Sequence, residues 1–434
     1  MSQPKRIAIL CAGGPAPGLN SVVGAATIRA IQHGYEVLGL KDGFKWIMRG
    51  DTSHIEHLTI DKVSRIHLRG GSVIGIARDN PTKNKEHLDN VINTLLKLGV
   101  DRLITIGGDD TAFSAMTLEK ASDNRIKVVH VPKTIDNDLD LPHGIPTFGF
   151  QTARHIGVDV VKNLMEDART TSRWYFVVSM GRKAGHLALG IGKASGATLT
   201  LIPEEFKEEE ISLKKLTDIL VGSMIKRKAQ GQDNGVVILA EGLVERLSTK
   251  ELEGLAELER DEHDNRRFAE LDLGVILKNA VKKRLEEINM KTTIVSKDIG
   301  YELRCADPIP FDMEYTRDLG FSAVEFIVKG GTAAMISIQG GHFVPMFFKD
   351  ILDKKTGKTK IRMVNVTSMS FAIANQYMIR LTSKDFKNQQ LMQQLGEVSG
   401  MSGDQFKEKF EYITEYEAET DEVSKSIREN FPSN

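Results

Sequence analysis

Residues 5–41, KRIAILCAGGPAPGLNSVVGAATIRAIQHGYEVLGLK, read as strand, loop, helix and strand, and this reading decides the fold. KRIAILCA is a short apolar run without alternation, the pattern of a strand covered on both faces. GGPAPGLN (13–20) breaks it, VVGAATIRAIQHG carries helical spacing, and YEVLGLK is a second strand. The rhythm continues with the amphipathic HLDNVINTLLKLG (87–99), then DRLITIGG (101–108) and KVVHVPKT (127–134). Strand, helix, strand in this order implies right-handed crossovers and a parallel sheet.

A second series follows the helical GFQTARHIGVDVVKNLMEDA (149–168). Its strands are WYFVVSMG (174–181), ATLTLIP (197–203) and NGVVILAEG (234–242), separated by HLALGIGKASG and SLKKLTDILVGSMIKRKAQG. The expectation is two Rossmann-like α/β/α domains with mostly parallel sheets, changing over near Phe148 to Gln151. PEEFKEEE (203–210) and ELEGLAELERDEHDNRRFAEL (251–271) read as solvated helix faces, and KKTGKTK (354–360) as a hairpin turn.

Composition removes several classes of function. The 434 residues are 41% hydrophobic and 27% charged, which excludes a disordered or fibrous chain. Lys and Arg number 58 against 59 Asp and Glu, so a general nucleic-acid binder lacks its basic excess and any anion site is a local cluster. Cys11 and Cys305 form no CxxC pair, which argues against zinc or a disulfide scaffold and suits a reducing cytoplasm. The apolar run Ile7–Ala12 is too short for a signal peptide, and no stretch approaches a membrane span.

Ligands of open α/β sheets bind beyond the carboxyl ends of the strands. Those ends carry GGPAPGLN, GGDDT (107–111), PKTIDND (132–138), SMGRKAG (179–185) and AEG (240–242). Any one such loop is also an ordinary strand-to-helix turn, and Gly190, Gly192 and Gly196 lack a dinucleotide spacing. PKTIDND is less ordinary, because packing alone rarely needs Asp136, Asn137 and Asp138 after a Lys-Thr pair. An Asp beside a Lys in a phosphate-lined cleft accepts a proton from a sugar hydroxyl while the Lys neutralises a transferring phosphoryl group. Asp109 is suited to holding Mg2+ through oxygen or water ligands. No P-loop occurs, since Leu352 stands where the first glycine of that motif belongs, and the protein-kinase motifs are absent.

Together these loops resemble the phosphofructokinase family. The resemblance runs from Lys5 to about Gly340 on six ordered motifs: GGPAPGLN, RGGSVIGIAR (69–78), GGDDT, PKTIDND, MGRKAG and GYELR (300–304). It implies the phosphofructokinase fold, with a donor-binding domain of residues 1–149 plus about 303–370. A sugar-phosphate domain of residues 150–302 plus about 371–434 would carry the C-terminal helices. Asp136 is implied as the base toward the 1-hydroxyl of fructose 6-phosphate, with Lys133, Asp110 and Arg182 also catalytic and Asp109 as the Mg2+ ligand. Gly14, Arg78, Asp110 and Lys133 would hold the donor. Thr134, Ile135, Asp136, Met180, Gly181, Arg182, Glu241, Tyr301 and Arg304 would hold the sugar phosphate. Arg173 would come from a neighbouring subunit, which requires a homodimer or homotetramer.

Asp110 points to the pyrophosphate-using members, because ATP-using members typically have Gly there. A carboxylate facing the α-phosphate of ATP at ~4 Å costs about 4 kcal/mol at an effective dielectric near 20, roughly three decades in affinity. The expected activity is Mg2+-dependent, pyrophosphate-utilising 6-phosphofructokinase. An ATP-dependent kinase and a silent sugar-phosphate sensor are the alternatives, and a nicotinamide dehydrogenase is weaker still. Three positions depart from the family. Pro15 replaces a common Asp, and Gly24 replaces an effector-site Arg, which implies no nucleotide-effector site. Val295 replaces a substrate-phosphate Arg, with Lys297 nearby. The segment after Gly340 matches no catalytic motif.

Overall fold

β-Branched and aliphatic runs become strands where both faces are covered, and eleven strands occur among the described residues. They are β1 (Arg6–Cys11), β2 (Glu36–Leu40), β3 (Ile55–Leu58), β4 (Val100–Gly107), β5 (Lys127–Pro132), β6 (Arg173–Ser179), β7 (Leu199–Leu201), β8 (Gly235–Ala240), β9 (Thr293–Ile299), β10 (Ala334–Gln339) and β11 (His342–Phe347). The helices between them include α1 (Leu19–Gln32), α2 (Ile60–Val63), α3 (Lys85–Lys97), α4 (Asp109–Ala121), α5 (Phe150–Thr171), α6 (His186–Ser195) and α7 (Leu213–Ala229). The computed structural model describes residues 4–248, 251, 272–351 and 360–414. The stretch 252–271 and most of KKTGKTK lie outside the described residues. Among the described residues, no helix is long and apolar enough to cross a membrane.

The chain forms two compact units, Met1–Ile156 with Tyr301–Arg362 and Gly157–Gly300 with Met363–Asn434. The first holds a seven-stranded sheet in the order β11-β10-β5-β4-β1-β2-β3. Five of its strands are parallel, and antiparallel β3 and β11 close its edges. Ala8 and Leu10 of β1, with Ala12 just after it, cluster with Val91 and Leu95 of α3 and with Ala112 and Ala115 of α4. Ile7 and Ile9 are equally buried and point to the opposite face, so β1 is covered on both sides. There α1 packs against the helix Pro310–Val328, where Gly320 leaves no room for a side chain: its Cβ would stand 2.6 Å from the Val22 carbonyl oxygen. Asp312 of that helix is buried and accepts the amides of Gly149 (2.9 Å) and Thr152 (2.7 Å), capping α5.

The second unit holds a four-stranded parallel sheet, β7-β8-β6-β9. Trp174 and Phe176 of β6 share its core with Leu216 and Leu220 of α7 and with Leu395, Phe406 and Phe410 from the C-terminal helices. The segment without catalytic motifs thus completes this unit's core, and Phe406 stacks on Phe410 at 4.7 Å. The short edge strand β3, the β10–β11 hairpin and the mixed-polarity β9 carry no long apolar run and escape a reading of the sequence.

PEEFKEEE is not a solvated helix. Pro203–Glu205 form a single 3-10 turn, and Glu204 and Glu205 point inward. Glu205 meets Arg380 at 2.6 Å, with their side chains 4% and 5% exposed, and its other oxygen accepts the Ile202 amide at 3.0 Å. A charged string looks solvated in sequence, whereas here a distant arginine makes burial tolerable. Arg380→Met would strand that carboxylate and should cost about 3–5 kcal/mol of stability. Arg380→Met with Glu205→Leu should lose much less. Urea unfolding followed by circular dichroism checks this, and equal losses in the two variants would contradict it.

Candidate active site

The glycine loop after β1 is shaped by its neighbours. Ala12 bridges to Ala77, and the Gly13 amide donates to the Ala77 carbonyl at 2.9 Å, bringing exposed Arg78 beside the loop. Gly13 has φ +90°, a region L side chains rarely adopt, and a Cβ there would stand 3.6 Å from Lys133 Nζ. Asn20 fastens the 69–78 loop: its Nδ2 donates to the carbonyls of Arg69 (3.0 Å) and Gly70 (3.1 Å), and its Oδ1 accepts the Val73 amide at 2.8 Å.

β4 runs through Gly107 into α4, whose first two residues are Asp109 and Asp110. Acidic groups there are favoured by the partial positive charge of a helix N-terminus. Asp109 Oδ1 accepts the Asp110 amide at 2.9 Å, while Asp110 is exposed. The Gly107 carbonyl accepts the Lys133 amide at 2.7 Å and the Nε2–H of buried His130 at 3.0 Å. Burial lowers His130 to about 3, so the ring is neutral, and it ties the ends of β4 and β5 together.

Lys133 follows β5 and is only 6% exposed. Burial lowers its ammonium to about 8, opposed first by Asp136; Arg304 lowers it further, and Cys11 and Asp138 pull it up. Burial pushes the Cys11 thiol up to about 12, against a hydrogen bond from Ser72 and the charge of Lys133. Asp110 makes no hydrogen bond to Lys133. Asp110 projects to solvent from the helix start, and the carboxylates that act on Lys133 are Asp136 and Asp138.

Within PKTIDND, Ile135 is buried and Thr134 Oγ1 accepts the Asp136 amide at 3.0 Å. Asn137 turns the chain with φ +56°, which Asn tolerates better than most residues. Its Oδ1 accepts the Thr147 amide at 3.0 Å, and Thr147 Oγ1 donates to the Thr134 carbonyl at 2.7 Å. Arg362 also donates to this loop, and the sequence offers no sign of it: it lies 224 positions beyond Asp138 in a segment without motifs.

Arg304 and Tyr301 belong to the short helix Tyr301–Arg304. Arg304 Nη1 lies 3.4 Å from where a Gly14 Cβ would stand, so its guanidinium sits with Gly14 and Lys133, residues assigned to the donor. Tyr301 is 79% exposed, with its ring 5.6 Å from the Arg304 guanidinium.

In the second unit, β6 leads into Met180, Gly181 and Arg182. The Met180 amide donates to the Ile299 carbonyl at 3.1 Å. Glu241, just after β8, accepts the Gly181 amide at 3.1 Å and faces Arg182 Nε at 3.4 Å. Buried Glu204 accepts the Gly185 amide at 2.9 Å and the Val364 amide at 3.1 Å; burial raises its pKa. Arg173 is not with this group. It opens β6 at the opposite end, with its Nε 3.8 Å from Asp167 of the same chain. Val295 pairs with Tyr175 in mid-strand and Lys297 with Val177, nearer the end where Arg182 lies.

Among the described residues, no three His, Cys, Asp or Glu side chains converge as a metal cage. Mg2+ takes oxygen ligands, commonly one or two carboxylates with waters and substrate phosphates, and Asp109, which opens α4 directly after Gly107 and Gly108, is a carboxylate of that chemistry.

The phosphofructokinase family model matches residues 6–327. The chain is 49% identical over 418 residues to a pyrophosphate--fructose 6-phosphate 1-phosphotransferase of Naegleria fowleri, covering 94% of this chain and 96% of that one. A namesake of Thermotoga maritima is 48% identical over 416 residues, covering 95% and 99%. An ATP-dependent 6-phosphofructokinase of Bacillus pumilus is 32% identical over 352 residues, covering 81% and 95%. A structure of the pyrophosphate-dependent phosphofructokinase of Nitrosospira multiformis aligns with TM-score 0.66 at 16% identity, covering 86% of this chain and 90% of that one, and supports the fold alone. Ordered motifs, sheet topology and near full-length similarity agree: this chain belongs to the phosphofructokinase family.

Proposed function

We propose that the chain transfers a phosphoryl group reversibly from pyrophosphate to the 1-hydroxyl of fructose 6-phosphate, giving fructose 1,6-bisphosphate and phosphate. The observation that carries this is the buried Lys133 ammonium beside Asp136, with Gly13 and the Arg304 guanidinium next to it. The two relatives near 48–49% identity carry the name of that activity. The anhydride of pyrophosphate is energetically modest, so the reaction would serve glycolysis and gluconeogenesis alike. We further assign a cytoplasmic homodimer or homotetramer without a nucleotide-effector site. A Cβ at Gly24 would stand 3.2 Å from the Val63 carbonyl oxygen, which leaves little space for an arginine.

In this reading Asp136 takes the proton of the 1-hydroxyl as its oxygen attacks the terminal phosphorus. The bond to the bridging oxygen breaks, and its electron pair leaves with phosphate. Lys133 and Arg304 neutralise the transferring group, while Gly14 and Arg78 hold the departing phosphate. Met180, Gly181, Arg182, Glu241, Thr134, Ile135 and Tyr301 position the sugar phosphate, with Arg173 reaching it from a neighbouring subunit. A Mg2+ held by Asp109 supplies charge neutralisation across the phosphate oxygens when bound.

Asp136→Ser should lower kcat by roughly 10²–10⁴ while fructose 6-phosphate binding stays within about threefold. Steady-state rates and a direct binding titration test it, and near-normal turnover in a folded variant would sink the assignment. The Lys133 ammonium is charged below about pH 8 and neutral above it. Hence kcat/KM for pyrophosphate, corrected for the donor's own ionisation, should fall about tenfold per pH unit on that alkaline side. A profile flat to pH 9.5 contradicts this role.

Donor choice is decided by initial rates with pyrophosphate, ATP and GTP at fixed fructose 6-phosphate and Mg2+. Exposure of Asp110 moves its repulsion of a third phosphate toward the aqueous limit of about 1 kcal/mol at ~4 Å, roughly a five- to tenfold effect. Asp110→Gly should therefore raise ATP use modestly. It should reduce pyrophosphate use only slightly, because Lys133 is held by other groups. Better use of ATP than pyrophosphate by the unaltered chain would overturn the pyrophosphate reading.

A further inference from the structure

We infer that Arg362 is a positioning residue for the loop that carries Asp136, holding the transfer base in place through its guanidinium fork. Arg362 Nε donates to the Asn137 carbonyl at 3.0 Å, Nη1 to the Ile145 carbonyl at 2.7 Å and Nη2 to the Asn137 carboxamide oxygen. Its own amide donates to the Asp138 carbonyl at 2.8 Å, and Ile361 bridges to Leu139. One side chain therefore engages acceptors at both ends of the 137–145 loop, immediately after Asp136.

The geometry explains why arginine stands there. A planar fork presents rigidly spaced donors to several carbonyls at once, whereas a lysine offers a single nitrogen. Asn137 is held at φ +56°, and the same carboxamide oxygen takes up Thr147 and Arg362. Releasing the fork frees this turn to relax toward commoner backbone angles, and the Asp136 carboxylate moves with it. A displacement near 1 Å is worth about 10²-fold in rate. With three donors given to loop oxygens, Arg362 acts through the placement of Asp136.

The inference rests on Asp136 being the base, so its test includes that assumption. Arg362→Met in the full chain should lower kcat roughly 10- to 100-fold, with KM for pyrophosphate and fructose 6-phosphate within about threefold. Arg362→Lys, which keeps charge and stem, should recover only a small part of that rate; if the Met variant does not fold, Lys carries the same readouts. In the Asp136→Ser background, Arg362→Met should cost almost nothing further, because a base that is absent cannot be misplaced. Unchanged kcat in a folded Arg362 variant, a rise in KM alone, or losses that multiply in the double variant would each overturn the inference. Wild-type turnover in Asp136→Ser alone would instead overturn the functional reading, which separates the two failures.

Discussion

An ammonium group drawn out of water is tolerated only where other groups offset its lost hydration, and Lys133 imposes that condition on the first unit. At 6% exposure it needs carboxylates close by, and Asp136 and Asp138 meet the need from the same loop. Its backbone is fixed independently, by the hydrogen bond its amide donates to the Gly107 carbonyl, which His130 also engages. Gly13, whose φ of +90° favours glycine, lies beside Nζ. Placing one cation thus constrains the ends of three adjacent strands.

That arrangement is also chemically useful. A buried ammonium lowered to about 8 remains mostly charged near neutrality, and little water competes for its field. The field acts on whatever anion enters the glycine loops. Arg304 adds positive charge beside Gly14.

The second unit places acids on its own backbone and on an arginine. Glu241 fixes the amide of Gly181, Glu204 that of Gly185, and Glu205 is neutralised by Arg380. Carboxylates used on backbone amides hold a loop rigid without occupying it, and Arg182 beside Glu241 is half-exposed.

The sequence by itself determined the parallel α/β character, because β1, β4, β5, β6 and β8 are short apolar runs followed by glycine or acidic breaks. It also determined the chemistry of GGDDT, PKTIDND and MGRKAG, because residue types that bind phosphate follow those strands directly. Glu205 reads wrongly as solvated, since its burial depends on an arginine 175 positions away, and Glu204 takes the amides of distant Gly185 and Val364. Arg362 was invisible for the same reason: hydrogen bonds to carbonyls recruit backbone that every residue possesses, so they leave no signature in residue type. Only the tertiary structure decides which distant side chain reaches those carbonyls, because that depends on where the folded chain returns in space.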